Sequence, residues 1–454
     1  MRILSNLKVL VGKVVKDGHI VDKLIKGSFW ISFAGVLSKA VSLVGAILLA
    51  RIFGVQDYGK WGVLISTIMS FSMFASAGMG LTATKYIAYY NSLNESKTEV
   101  IEVTSLVLII SVIFGTFFSA ILFFGSSYIS NNLFSESALV LPIKLISCSL
   151  LFLSINGAVQ GIFLGHQSFK IVSLLNVIFG IINYPLIVVL SYYGGLNGGA
   201  VGYSISVLIC ALLMLWKVYK EFYYKKKHNH LSVSHLAIKY KRILLNYSFP
   251  AIFGGALVAP VLWLADIIVA NSSGGFENLG FFQAGNRIKE LIIFVPSVLS
   301  TMIVPLLSSL LKKKETFQRV VKFNLILNLS ISFVISIPLI IFSSFIMSLF
   351  GEEFTSHNSV IVLMCIASIL ITYNSVVGKI IASSGNMWFG FLFNSIWGVI
   401  LLSLTYILVR VCNAGSEGYA MAFLLSYFIH SVIQTLYLKN FRKKNENRNS
   451  DNMV

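Results

Sequence analysis

What this sequence lacks most is charge. Only 11% of its 454 residues are Asp, Glu, Lys or Arg, against about a quarter in a soluble domain, so a water-soluble globule is excluded. Acid is scarcest, with 17 Asp and Glu against 35 Lys and Arg. Glu352-Glu353 is the only acidic pair in an expected outer loop, and that loop is short. This argues against a membrane glycosyltransferase with acidic metal-binding motifs, and the pair reads as a solvated connection. Cys148, Cys210, Cys365 and Cys412 show no CxxC spacing and three fall in apolar runs, so neither a disulfide framework nor a metal site is expected. The seven histidines also lack ligand spacing, and His228 and His230 sit in a basic loop as solvated side chains. No cofactor is expected. In-out alternation over ten residues is missing, which excludes a membrane β-barrel.

What is present is apolar sequence. Hydrophobic residues make up 56% and the mean hydropathy is +0.83. Twelve apolar runs of roughly 20 residues predict spanning helices at 28–50, 61–80, 103–124, 141–164, 171–192, 200–216, 248–270, 288–310, 324–349, 358–381, 388–409 and 417–437, because a helix of that length matches the ~30 Å hydrocarbon core. An all-α polytopic membrane protein follows. The net charge of +18 suggests nucleic acid only until its placement is seen. Lys and Arg cluster before Lys26, between Trp216 and Tyr247, around Lys312 to Lys322 and after Leu438, alternate sides of the threaded chain. By the positive-inside rule those segments and both termini are cytoplasmic, facing anionic lipid headgroups. Only Arg51, Lys60, Arg287, Lys289 and Arg410 fall outside, while Trp30, Trp61, Trp216 and Trp388 mark span ends. Residues 1–26 interleave Lys with Leu and Val, without the apolar core or cleavage site of a signal peptide. They are expected as an amphipathic surface helix, broken near Asp17-Gly18.

The sequence repeats itself. Ser28-Phe29 and Phe33-Ala34-Gly35 return as Ser248-Phe249 and Phe253-Gly254-Gly255. Asp57-Tyr58-Gly59 returns as Asn278-Leu279-Gly280, Gly161 as Gly378, Asn176 to Gly180 as Asn394 to Gly398, and Gly199 to Tyr203 as Gly415 to Tyr419. All keep an offset of 216 to 221. Each half holds six spans, so the repeats are parallel, related by an axis along the membrane normal. The expected organisation is a 1–26 segment, an N-lobe at 27–216, a basic linker at 217–246, a C-lobe at 247–438 and a basic tail at 439–454, the lobes enclosing a central cavity and rocking against each other.

Charges inside apolar spans are costly and usually face a partner or a wet cavity. Lys39 lies mid-span, ~18 Å along the helix from Arg51, too deep to reach water easily. Ser38 and Ser42 share its neighbourhood. It reads either as a cation lining a cavity for an anionic substrate or as half of a structural ion pair. Asp266 lies in the outer third of span 7 and Arg287 opens span 8. They pair with each other, or Arg287 pairs with Glu290, or Arg287 lines the cavity while Asp266 senses protons or binds a coupling cation. Lys144 is a weaker cavity cation, and Asn176 and Gln283 complete the polar candidates. Gly54 to Gly59-Lys60 mimics the start of a phosphate-binding loop, but Trp61 follows where a hydroxyl is needed and no strand precedes it. Gly157, Gly161 and Gly165 form a small-residue ridge, read as static packing. Pro250, Pro260, Pro296 and Pro305 are expected to kink spans 7 and 8.

Leu49-Ala-Arg51-Ile-Phe-Gly54-Val-Gln-Asp-Tyr58-Gly59 resembles the end of the first helix in polysaccharide flippases of the multidrug/oligosaccharidyl-lipid/polysaccharide exporter superfamily. Gly78 to Ala88, Gln160 to Gly165, Leu279 to Ala284 and Leu349 to Phe354 are similar to further segments of that family, so the resemblance spans almost the whole chain. It implies a two-lobed transporter of twelve or more helices, moving undecaprenyl-diphosphate-linked sugars from the inner to the outer leaflet of the bacterial cytoplasmic membrane. The polymerase or other assembly proteins of the same pathway would be its partners. Ser38-Lys39 also resembles the lipid II flippase branch, where a basic residue follows the serine. Here, however, Gly45 stands near the place of that branch's second basic residue, and two C-terminal helices have no counterpart. An O-antigen, capsule or exopolysaccharide unit is therefore expected over lipid II. The competing readings are a cation-coupled exporter of drugs on the same scaffold, which would favour acids in the cavity, and a membrane-embedded glycan polymerase. A major-facilitator transporter lacks its basic-glycine loop here, and a scaffold would not explain Lys39.

Overall fold

The computed structural model describes residues 18–93, 97–223, 239–241, 257–309, 314–383 and 387–450. Among them every regular element is helical. In chain order they are α1 (Gly18–Ala75), α2 (Met79–Ser92), α3 (Lys97–Tyr128), α4 (Val140–Ser147), α5 (Ser149–Gly165), α6 (Phe169–Val218), α7 (Val258–Ala270), α8 (Gly275–Ser309), α9 (Lys314–Ile341), α10 (Ser343–Phe350), α11 (Asn358–Ser383), α12 (Met387–Thr405) and α13 (Gly415–Ser450). Among the described residues seven helices are long and apolar enough to cross a bilayer, or eight when the pair Ser137–Ser147 and Ser149–Gly165, bent by 41°, counts as one. The chain is a multi-pass membrane protein.

Two of the seven are too long for one crossing. The apolar stretches Gly35–Ala75 and Phe169–Glu221 run 41 and 53 residues, and straight helices of that length would extend about 60 and 80 Å. Each contains a glycine at which helical geometry fails: Gly54 (φ 69°, ψ 177°) in α1 and Gly195 (φ 54°, ψ −140°) in α6. Such angles are open to glycine and costly for other residues. At Gly195 the chain folds back on itself. A Cβ at Gly198 would lie 1.9 Å from the Leu190 carbonyl oxygen, and one at Gly202 would lie 2.8 Å from that of Leu186. Residues 16 apart on a straight helix are ~24 Å apart, so α6 is an antiparallel pair of arms. Taking two arms from each of α1 and α6 and adding α7 and α8 is consistent with the twelve expected spans. Of the prolines expected to kink spans 7 and 8, Pro296 and Pro305 lie within α8, Pro260 lies in the first turn of α7 where proline is tolerated, and Pro250 lies outside the described residues. Likewise, residues 1–17 lie outside them, and α1 is continuous from Gly18 into the first span.

The chain packs as two compact units, Leu24–Gln283 and Met1–Lys23 with Ala284–Val454. The division falls inside α8. The first unit holds α7 through specific contacts. Trp263 Nε1 donates to Thr67 Oγ1 (2.9 Å), its ring meets Phe71 and Phe134 edge-on, and Asn271 Nδ2 donates to the Leu133 carbonyl (2.6 Å). The glycine ridge of α5 packs closely against α2: Gly161 would place a Cβ 2.1 Å from the Gly80 carbonyl oxygen, and Gly165 would place one 2.8 Å from Ile87 Cβ. A fragment of the basic linker also docks here. Tyr240 is buried among Ala83, Ile87 and Val103 and donates to Glu102 Oε2 (2.6 Å), which also accepts from Lys239 Nζ (2.5 Å). Burial first, then the Glu102 carboxylate, raises the Tyr240 phenol above its ordinary range, so it stays a neutral donor.

One contact within the first unit is locally two-fold. Gly59 and Val55 correspond, at an offset of 221, to Gly280 and Phe276. A Cβ at Gly59 would sit 1.9 Å from the Phe276 carbonyl oxygen, and one at Gly280 would sit 2.1 Å from that of Val55. Repeat-related residues thus make the same contact in both directions. The second unit is held by polar as well as apolar contacts between its helices, among them Ser332 with Thr372 (2.8 Å) and Tyr373 with Thr435 (2.6 Å).

Candidate functional site

The first arm of α1 has an exposed stripe at Val36, Ala40, Val44 and Leu48. Lys39 is half-buried and projects from another face, in line with buried Ala46 and Ala50. Its surroundings are fixed by α6. Ser38 Oγ donates to the Asn176 carbonyl (3.3 Å), and Gly180, one turn on, leaves room for that approach because a Cβ there would lie 3.1 Å from Ser38 Oγ. Ser42 Oγ donates to the Lys39 carbonyl (3.0 Å), a bond within its own helix that commits its proton. A side chain at Gly45 would strike Tyr184, with Cβ 2.4 Å from Cδ1. The place of a second basic residue is therefore filled by an α6 aromatic. Ser38, Lys39 and Ser42 lie together on α1, and the Asn176 backbone carbonyl meets them through Ser38.

The other candidates sit elsewhere. Lys144, in the last turn of α4, has Nζ 5.8 Å from the Phe123 ring centroid. Gln283 is buried, its side chain filling the space left by Gly62, where a Cβ would lie 2.5 Å from Gln283 Cγ. Asp266 is buried in α7, at 3% exposure. Arg287 pairs with Glu290 one turn along α8 (3.5 Å), the local partner that the i, i+3 spacing allowed. Asp266 and Arg287 belong to different packing units. Across the phosphate-loop mimic, Val55 to Lys60 is helical, and Lys60 is engaged by Asp57 (3.2 Å) and Glu136 (3.6 Å).

Sequence reasoning missed several polar residues. Lys289, expected on the outer side at the start of span 8, is 8% exposed, with Nζ 4.7 Å from the Phe423 ring centroid. Lys379 donates to the Ser297 carbonyl (2.7 Å). A buried polar cluster joins α11, α12 and α13. His430 Nε2 and Gln434 Nε2 are 2.7 Å apart, Trp397 and Tyr427 flank the imidazole, and Asn374 Nδ2 donates to the Tyr427 carbonyl (3.2 Å). Trp397 Nε1, His430 Nδ1, Gln434 Oε1 and Asn374 Oδ1 have no hydrogen-bond partner there. The signal was available: a His and a Gln at i, i+4 inside an apolar span are as costly as a charge is conspicuous.

Comparison with known proteins bears on what such a scaffold belongs to. A putative O-antigen transporter of Shigella flexneri is 24% identical over 345 residues, covering 73% of this chain and 78% of that protein. The lipid III flippase of Escherichia coli (strain K12) is 22% identical over 427 residues, covering 90% of this chain and 96% of that protein. A multidrug resistance MATE family transporter of the MOP superfamily, in an inward-facing conformation, superposes with a TM-score of 0.75 at 13% identity over 89% of this chain and 96% of its own, a likeness of fold alone. The polysaccharide biosynthesis protein family matches residues 24–311, more than half of the sequence. That match makes this chain a member of the polysaccharide biosynthesis protein family.

Proposed function

We propose that the chain flips undecaprenyl-diphosphate-linked oligosaccharide from the inner to the outer leaflet of the bacterial cytoplasmic membrane by alternating access, for surface polysaccharide assembly. The observation that carries this reading is Lys39, a lysine turned away from the exposed stripe of a spanning helix in a family of polysaccharide biosynthesis proteins. The physical task explains the residue. A diphosphate and its sugars cannot shed their water into hydrocarbon, because buried charges and hydroxyls need replacement partners. Lys39 supplies a cationic partner for the diphosphate, with Ser38, Ser42 and Asn176 beside it as polar neighbours, while the polyprenyl tail stays in lipid. Substrate drives the conformational cycle only through unequal affinity for the two states. Both termini lie on the cytoplasmic side, as the distribution of Lys and Arg supports. The polymerase and other assembly proteins of the same pathway act on the delivered unit.

Lys39→Ala should abolish surface glycan and strand lipid-linked oligosaccharide on the inner leaflet while the protein remains in the membrane; Lys39→Arg should retain part of the function. Full glycan display by Lys39→Ala would remove the residue from the mechanism. A second reading, a cation-coupled exporter of small organic cations, is favoured by buried Asp266. It requires that Asp266→Asn lose drug resistance in cells whose surface glycan is unchanged.

A further inference from the structure

The open end of the α6 hairpin carries a groove of about 260 Å³. The fold-back that sets Gly198 on Leu190 and Gly202 on Leu186, carried down the two arms, brings Lys170 beside Lys217. Ile171, Leu174 and Ile178 form one wall of the groove and Leu213 and Trp216 the other. Lys170 and Lys217 complete its lining, and long lysine side chains lay their methylene stems along apolar surface while the ammonium groups keep to water. Trp216 is 59% exposed and Leu174 58%, apolar surface offered outward at the end of a membrane-spanning hairpin. Glu221 holds Lys217 (3.0 Å), and Lys220 lies over the Trp216 ring (5.3 Å). Three lysines against one carboxylate leave the rim positive.

We propose that this groove binds an anionic glycerophospholipid of the bilayer, one acyl chain lying along Leu174, Ile178 and Trp216 and its phosphate seated between Lys170 and Lys217. The pairing of an apolar trough with a cationic rim selects such a molecule. A zwitterionic lipid fills the trough but brings its own cation to the rim. A soluble phosphate meets only exposed lysines screened by salt and leaves the trough empty. Basic pockets between spanning helices on the cytoplasmic side favour anionic headgroups for the same reason. The inference is independent of which cargo the protein moves.

The test is quenching of Trp216 fluorescence in vesicles of phosphatidylcholine containing a minor fraction of phosphatidylglycerol, with bromine on the acyl chains of one lipid or the other. Brominated phosphatidylglycerol should quench more than brominated phosphatidylcholine at equal mole fraction, and the excess should vanish in Trp216→Phe. Lys170→Gln and Lys217→Gln should each lower the preference about fivefold, and Glu221→Gln, which releases Lys217, should raise it. Should Trp216→Phe fail to fold, native mass spectrometry of retained lipid in the wild type and the two lysine variants gives the same ratio. Equal quenching by the two lipids, or an unchanged preference in Lys170→Gln/Lys217→Gln, overturns the proposal. Displacement by inorganic phosphate would reduce the site to a bare anion contact, and displacement by equimolar undecaprenyl phosphate would assign the groove to a polyprenyl lipid; either outcome rejects the phospholipid assignment.

Discussion

Gly59→Ala should destabilise the protein sharply, although alanine is the better helix former. The added methyl carbon would stand 1.9 Å from the Phe276 carbonyl oxygen and 2.9 Å from the Gly280 nitrogen. Ordinary contact needs about 3.4 Å or more, so the crossing must open by about 1.5 Å. Both obstacles are backbone, so no rotamer change relieves them. Overpacking of this kind costs about 1–3 kcal/mol, and a backbone obstacle places it at the upper end. Helix propensity returns about 1 kcal/mol. The net loss is about 2 kcal/mol, some thirtyfold in an equilibrium constant. Gly125→Ala is the internal control: it too lies within a helix, but nothing stands within 4 Å of its added Cβ, so it should gain up to about 1 kcal/mol.

The assay is the fraction of monodisperse protein left after graded heating in detergent, read as rank order because unfolding of such proteins is commonly irreversible. The order expected is Gly125→Ala, wild type, Gly280→Ala and Gly59→Ala together, with the last two alike because their contacts mirror each other. The double variant Gly59→Ala/Gly280→Ala should cost less than the sum, since one methyl already opens the crossing for the other. A Gly59→Ala protein as heat-stable as Gly125→Ala would refute the close crossing. Additive costs in the double variant would refute the two-fold character of the contact.

Two further outcomes test the polar contacts. Tyr240→Phe removes a buried hydrogen bond to a carboxylate, worth about 1.5–3 kcal/mol, and should release the linker to limited proteolysis near Lys239; Lys239→Gln, at a half-exposed ion pair worth about 0–1 kcal/mol, should change the cleavage rate little. His430→Leu alone leaves Gln434 buried with its partner gone and should cost about 1–3 kcal/mol, whereas His430→Leu/Gln434→Leu removes both polar groups and should recover most of that loss in the same heating assay. A double variant no better than the single one would deny that the two side chains depend on each other.

The spanning pattern was legible because hydropathy is a property of composition along the chain, needing no knowledge of neighbours. The same holds for the missing acid, the mid-span Lys39 and the glycine ridge of α5, whose spacing alone announced close packing. Breaks in the helices were less legible. Four prolines drew attention, yet the sharp departures in α1 and α6 are at Gly54 and Gly195, where only φ and ψ distinguish a turning glycine from a packing one. Partners were illegible where they lie far along the chain: Lys379 meets a carbonyl 82 residues away, and Tyr240 reaches Glu102 across 138 residues. Arg287 illustrates the converse, since its partner Glu290 was within the reach of helical periodicity.

The repeat places a joint steric constraint on some of its members and not on others. At a local two-fold, a residue in one half packs beside the counterpart of its neighbour in the other. If Gly59 needs the Phe276 carbonyl close by, then Gly280, its equivalent, needs the Val55 carbonyl equally close, and a side chain at either position opens the contact for both. The pair must therefore be small together. Asp57 and Asn278 carry no such joint constraint: Asp57 engages Lys60, while Asn278 Nδ2 donates to the Ser273 carbonyl (2.8 Å). Gly62 and Gln283 solve the same crowding differently, one side chain missing so that its equivalent fits the space. The joint cost of Gly59→Ala and Gly280→Ala measures that sharing of one volume directly.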